Sequence, residues 1–196
     1  MTVDQLWDRT WGRIAGFEMV GIDFITAVNE ATEQIFDYLW QRKSDLAKSL
    51  FQLKFKAGSS GGMFLSGEFR GFAERPNVAD IGALNPLTEA DRSDASSWTG
   101  DPSHYEIVGS YLFVWPAPET GTVISGVWFK HPDDVAKYSE DLPFDSMLDM
   151  AYKAIVVAIA DHGIAADLTS ILESKVGSLL QVRDYHSPPR TVIKDF

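Results

Sequence analysis

Hydrophobic positions divide the chain into stretches of different period. Residues 3–11 (VDQLWDRTW) put Leu6, Trp7 and Trp11 near helical spacing, and Gly12, Gly16 and Gly21 interrupt it; this predicts a short helix and then a loop. From Asp23, a good N-cap, Phe24, Val28, Ala31, Ile35 and Leu39 recur at three- and four-residue steps. That predicts an amphipathic helix of about five turns, ending near Arg42 and Lys43, cations that suit a helix C-terminus. After Lys48 the period changes to two: Phe51, Leu53 and Phe55 alternate with Gln52, Lys54 and Lys56, as in a strand with one wet face.

GSSGG then reads as a loop, and MFLSGEFRGFAERP as a second strand weakened by Gly67 and Gly71. Residues 76–104 hold three prolines and little periodicity, which predicts a long loop with a helical turn at 86–92. HYEIVGSYLFVWPAP carries strand character stopped by Pro116 and Pro118. ETGT makes a tight turn, and VISGVWFKHP is the expected partner strand. About four strands are expected over 49–132.

The acidic stretch 133–149 leads to a helix start marked by Pro143 and Asp145. Leu148, Ala151, Tyr152, Ile155, Ala158 and Ile159 line its apolar face, with Gly163 as C-cap. A last helix is expected at about 165–182, with Leu168, Ile171, Leu172, Val176, Leu179 and Leu180 inward. The tail YHSPPRTVIKDF cannot continue it past Pro188 and Pro189 and should extend.

Helices and strands are thus segregated, and the expected class is α+β. Residues 1–48 and 133–182 would form a helical bundle of two N-terminal and two C-terminal helices. Residues 49–132 would form an antiparallel β-rich insertion, and 183–196 an extended C-terminal arm. No internal repeat is visible.

Composition narrows the chemistry. The 196 residues are 45% hydrophobic and 12% aromatic, enough to bury a core. Seventeen Lys and Arg against 28 Asp and Glu give a net charge of −11, which argues against gripping nucleic acid over the whole surface. With no cysteine there is no disulfide, thiolate nucleophile or Cys-ligated zinc. The N-terminus has acids at Asp4 and Asp8 and no apolar core, unlike a secretory signal. The most apolar stretch, Met150–Ala160, is short and carries Lys153, so a soluble intracellular protein with no membrane partner is expected.

Of His104, His131, His162 and His186, no two have helical metal-ligand spacing. GSSGG lacks the Lys-Ser/Thr ending of a phosphate loop, and there is no Gly-x-Ser-x-Gly elbow. The acids Asp133, Asp134, Glu140, Asp141, Asp145 and Asp149 lack EF-hand spacing and read as a solvated surface, or as a like-charged wall along which DNA slides without sticking. No catalytic residue, metal ligand or cofactor is expected. Trp98, in the polar SSWTGDP loop, is the tryptophan expected to be exposed, as a partner contact or a loop anchor.

Several strings resemble tailed-bacteriophage head-tail connector proteins of the adaptor type. They are AVNEATEQIFDYL in the long helix, HYEIVGSYLFVWPAP running into its Pro-x-Pro turn, VWFKHPDD, and LPFDSMLDMAYKAIVVAIA with Tyr152 and Ala154. The resemblance spans residues 3 to 182 and carries no enzymatic residues. It implies a structural virion protein of the neck, assembled in the host cytoplasm: a ring, usually a dodecamer, between the portal protein and the stopper or tail protein, lining the channel through which DNA passes without sequence-specific binding. By position, the arm with Tyr185, Arg190, Val192, Ile193, Lys194 and Phe196 would dock on the portal. Small all-helical adaptors lack an insertion like 49–132, which leaves its role open. Two other readings stand beside this one: a tail-completion or tail-terminator subunit, and a small hydrolase using His104 and His131 with Asp101 and Asp133.

Overall fold

A computed structural model describes residues 1–10, 23–56, 62–144, 146–163 and 167–181. The chain divides into two compact units, a helical unit (Met1–Leu46 with Pro132–Phe196) and a β unit (Ala47–His131). The protein is α+β with mainly antiparallel sheets. No helix among the described residues is long and apolar enough to cross a membrane.

In the helical unit, α1 (Val3–Thr10) buries Val3, Leu6 and Thr10. The long helix α2 (Phe24–Gln41) starts where its N-cap predicts. Asp23 accepts the Thr26 N–H at 2.8 Å and the Thr26 hydroxyl at 2.8 Å. These bonds, the backbone one foremost, hold the Asp23 carboxyl below the usual carboxylate range. The cap therefore stabilises fully above the ordinary aspartate pKa and is lost as pH falls through the lowered one. Asp23→Ala is expected to cost about 1 kcal/mol at neutral pH, and a urea titration repeated in acid should show the difference shrink.

Helix α3 (Asp149–His162) buries Ala151, Tyr152, Ile155, Val156, Ile159 and Ala160 and packs against α1 and α2. It begins four residues after Asp145, preceded by a 3₁₀ turn at Ser146–Leu148. Gly163 ends it as predicted, at φ 78° with its N–H on the Ile159 carbonyl at 2.7 Å. At the α2–α3 contact the Thr32 hydroxyl donates to the Val28 carbonyl at 2.9 Å. The buried Tyr152 hydroxyl, 3.0 Å away, therefore donates to Thr32.

The expected last helix differs. Residues Thr169–Leu172 form one α turn, α4, which passes into a π segment at Glu173–Gly177 before helical geometry resumes. Gly177 ends it against α2, where a Cβ would lie 2.6 Å from the Tyr38 hydroxyl. The Arg42 guanidinium covers the same tyrosine ring at 3.5 Å.

The acidic stretch is fixed along the helical unit through its backbone. Val3 N–H donates to Glu140 O at 3.0 Å, Asp4 N–H to Tyr138 O at 2.8 Å, and Leu142 N–H to Met1 O at 2.9 Å. The Asn29 side chain brackets Val135, accepting its N–H at 2.9 Å and donating to its carbonyl at 3.0 Å.

The β unit holds nine strands among the described residues, against about four expected. One sheet joins β1 (Lys48–Lys54) to β9 (Val123–Lys130), whose other side pairs with β3 (Phe69–Phe72) and β4 (Asn77–Val78). The pair β4–β5 (Gly82–Ala83) completes it. The second sheet has the order β2 (Gly62–Phe64), β8 (Tyr111–Trp115), β7 (His104–Val108), β6 (Asn85–Pro86). Phe51, Met63, Val78, Leu112, Val114, Ile124 and Trp128 pack into one core between them.

Three expectations are corrected. MFLSGEFRGF is two strands in different sheets, parted by a turn at 67–68. HYEIVGSYLFVW is a hairpin of two strands turning at Gly109 (φ 58°), and β9 pairs with β1, not with β8. The long loop contains β4, β5 and β6, and its 3₁₀ turn lies at Ala95–Ser97 rather than 86–92.

Candidate interaction surface

Strand alternation makes one face of a sheet, and in the second sheet the outer face, like the inner one, carries a row of large apolar side chains. Leu112 and Val114 of β8 point into the core. Tyr111, Phe113 and Trp115 take the opposite parity and line the outer face. The register places Phe64 of β2 opposite Tyr111, and Val108 of β7 on its other side. Phe64 and Tyr111 meet edge-to-face at 5.7 Å, and Phe113 and Trp115 lie nearly parallel at 6.4 Å. Phe113 lies over Gly62, where a Cβ would stand 3.0 Å from its ring.

Phe64 is 61% exposed, Val108 52% and Tyr111 49%. An antiparallel sheet facing water normally turns polar residues outward. A contiguous aromatic outer face marks an interaction surface. The indole N–H of Trp115, at the end of this row, is buried with no acceptor among the described residues. Glu106, on the same face of β7, is ion-paired with Arg92.

The helical unit carries a second candidate, a groove of about 390 Å³. Arg9 from α1, Lys153 from α3 and Lys175 from the π segment line it, with Met150, Ala154 and Val157 as its apolar part. Three cations meeting in a chain of net charge −11 make this a place for an acidic group. The Thr10 hydroxyl at its rim is already committed to the Leu6 carbonyl at 2.7 Å.

The residues expected to matter fall as follows. Trp98 is half-buried, its ring 5.1 Å from that of His104, so the loop folds it back onto β7 instead of presenting it fully. His104 also hydrogen-bonds Ser103 Oγ at 2.9 Å. His162 lies in the last turn of α3, and the His131 N–H donates to Glu68 O at 2.8 Å. The arm residues Tyr185, Arg190, Val192, Ile193, Lys194 and Phe196, with His186, lie outside the described residues. Among the described residues, no three His, Asp or Glu side chains gather as a metal site. Sequence reasoning missed the aromatic face; its signal was a strand with aromatics in one parity and aliphatics in the other.

Compared with protein-family models and with curated proteins, the chain matches none of them.

Proposed function

We propose that this chain is a structural subunit of a virion neck, a head-to-tail adaptor that assembles as a ring between the portal and the stopper or tail proteins. The observation that carries an assembly role is the aromatic outer face of the second sheet, a solvent-facing surface with the composition of an interface core. The phage assignment rests on the sequence resemblance. Two distinct surfaces, the aromatic face of the β unit and the cationic groove of the helical unit, suit a subunit with two different neighbours. In this reading the arm from Tyr185 to Phe196 docks on the portal, and the insertion that small adaptors lack makes contact with the tail or with the next subunit. A tail-completion or tail-terminator subunit would use the same surfaces on a tail tube.

The test is native mass spectrometry of the chain alone and after co-expression with the portal protein of the same genome. A ring formed with portal, with cross-links from Lys194 to it, supports the adaptor. Association with tail tube and not with portal moves the assignment to the tail; no association with either overturns it. Phe64→Asp with Tyr111→Asp should leave the fold intact, since both rings are largely exposed. It should weaken assembly at least about tenfold, as losing central aromatic anchors does.

A further inference from the structure

We infer that the open side of the β unit is a strand-addition site for an extended acidic and apolar segment of a partner protein. This goes beyond the adaptor reading and does not depend on it.

Among the described residues, each sheet ends on that side in a strand paired along one edge only, β1 in the first and β2 in the second. Gln52–Lys54 of β1, Lys56 just beyond it, and Gly62–Phe64 of β2 flank a single cleft of about 360 Å³. On the opposite sides β5 and β6 are two-residue strands, β6 ending in Pro86, and β3 is a four-residue strand whose register shifts between Phe69 and Gly71, so they offer shorter or less regular edges.

The direction of the unpaired backbone groups follows from the bonds next to each strand. The Phe55 N–H donates to Thr122 O, and the Phe55 carbonyl accepts from the Gly121 N–H, both at 2.9 Å. Phe55 thus faces the β9 side. By the two-residue alternation of an unbroken register, Leu53, Phe51 and Ser49 do too. The N–H and C=O groups of Leu50, Gln52 and Lys54 face outward. In β2 the Leu65 N–H donates to Ser110 O at 2.8 Å, so Met63 faces β8 while Gly62 and Phe64 face the cleft. Two rows of main-chain donors and acceptors therefore border one opening, the template a strand adds to.

Charge and apolarity choose the occupant. No Asp or Glu occurs between Asp45 and Glu68, while Lys48, Lys54 and Lys56 do, in a chain of net charge −11. Leu50 is 84% exposed on β1. A second copy is disfavoured: antiparallel β1 pairing over its full length sets Lys48 opposite Lys54 of the other strand at both ends. An alternating partner strand instead places one set of side chains against Leu53 and Met63 in the cleft and acids beside the lysines.

The experiment is amide hydrogen exchange by NMR on the full chain. The probes are a capped heptapeptide alternating Glu and Val, and its counterpart with Lys for Glu. The Glu/Val peptide should slow exchange at Leu50, Gln52, Lys54 and Phe64 by at least about tenfold, as new main-chain hydrogen bonds do. The Lys/Val peptide should not. Gln52→Pro removes an outward N–H that the β9 ladder does not use, so the fold should persist and the effect should vanish. Lys54→Glu, which leaves the backbone untouched, should weaken the Glu/Val peptide as a second check. Equal slowing by both peptides, none at these amides, or full retention in Lys54→Glu overturns the inference. Slowing that follows protein concentration without peptide overturns the heterologous partner in favour of a second copy.

Discussion

Tyr152→Ala is expected to remove about 3–5 kcal/mol from the helical unit, the range for deleting a fully buried aromatic ring. Tyr152 is completely buried between α2 and α3, with the Phe144 ring 6.5 Å away. Among the described residues its hydroxyl has one direct partner, Thr32. Tyr152→Phe keeps the ring and leaves Thr32 bonded to Val28, so it should cost only about 1 kcal/mol. The two variants separate ring packing from the hydrogen bond, and urea denaturation followed by amide protection in α2 and α3 measures both. The hydroxyl also predicts an alkaline weakness. Burial, the main cause, raises the Tyr152 pKa far above the ordinary tyrosine value, and Asp149 adds to this against the Thr32 bond. Above about pH 10 the unfolded chain loses this proton and the folded chain keeps it, so stability falls as pH rises. Tyr152→Phe should remove part of that slope. Tyr105 in the β unit, raised by burial against the pull of Arg75, keeps a smaller one of its own.

Gly126→Val is the matching test in the β unit, with an expected cost of about 1–3 kcal/mol from overpacking. A Cβ at Gly126 would lie 3.0 Å from Cε1 and 3.2 Å from Cζ of Phe51, and 3.6 Å from the Pro76 backbone. The Phe51 ring has little room to yield. It stacks on Trp128 at 4.9 Å and meets Phe72 at 5.3 Å. Valine would press on the β1–β9 ladder at the Phe51–Gly126 pair and on the shared core together. A lowered urea midpoint read by indole fluorescence would check it. Unchanged stability would mean that Phe51 moves freely and that the aromatic cluster holds nothing in place.

Local periods were readable in the sequence, and partners were not. Asp23 and the three- and four-residue steps located α2, and alternation located β1, because both patterns record burial on one face of a single element. Alternation says nothing about which strand lies alongside. The sequence therefore points β9 to the strand just before it, across ETGT, although it pairs with β1 about seventy residues earlier. The turn at Gly109 was hidden inside a continuous run of strand formers. Strands of two residues such as β4 have no pattern of their own and exist because β9 offers them an edge. The need for glycine at 177 depends on where the Tyr38 hydroxyl lands, a tertiary fact. Likewise the aromatics of the outer face were all visible in the sequence, but their contiguity needed the β2–β8 register. The cationic groove draws on Arg9, Lys153 and Lys175, too far apart along the chain to be read as a cluster.

The way the chain enters and leaves the β unit has a mechanical consequence. It enters at Ala47 and exits at His131, and Lys48 is already paired with Phe129. Tension carried through both crossings acts on the same end of the β1–β9 ladder. It opens the pairs in succession from Lys48–Phe129 towards Lys54–Val123, never loading them all in shear. Such a ladder peels at low force and recloses from its far end. Under strain the β unit would yield from this end as an extensible leaf.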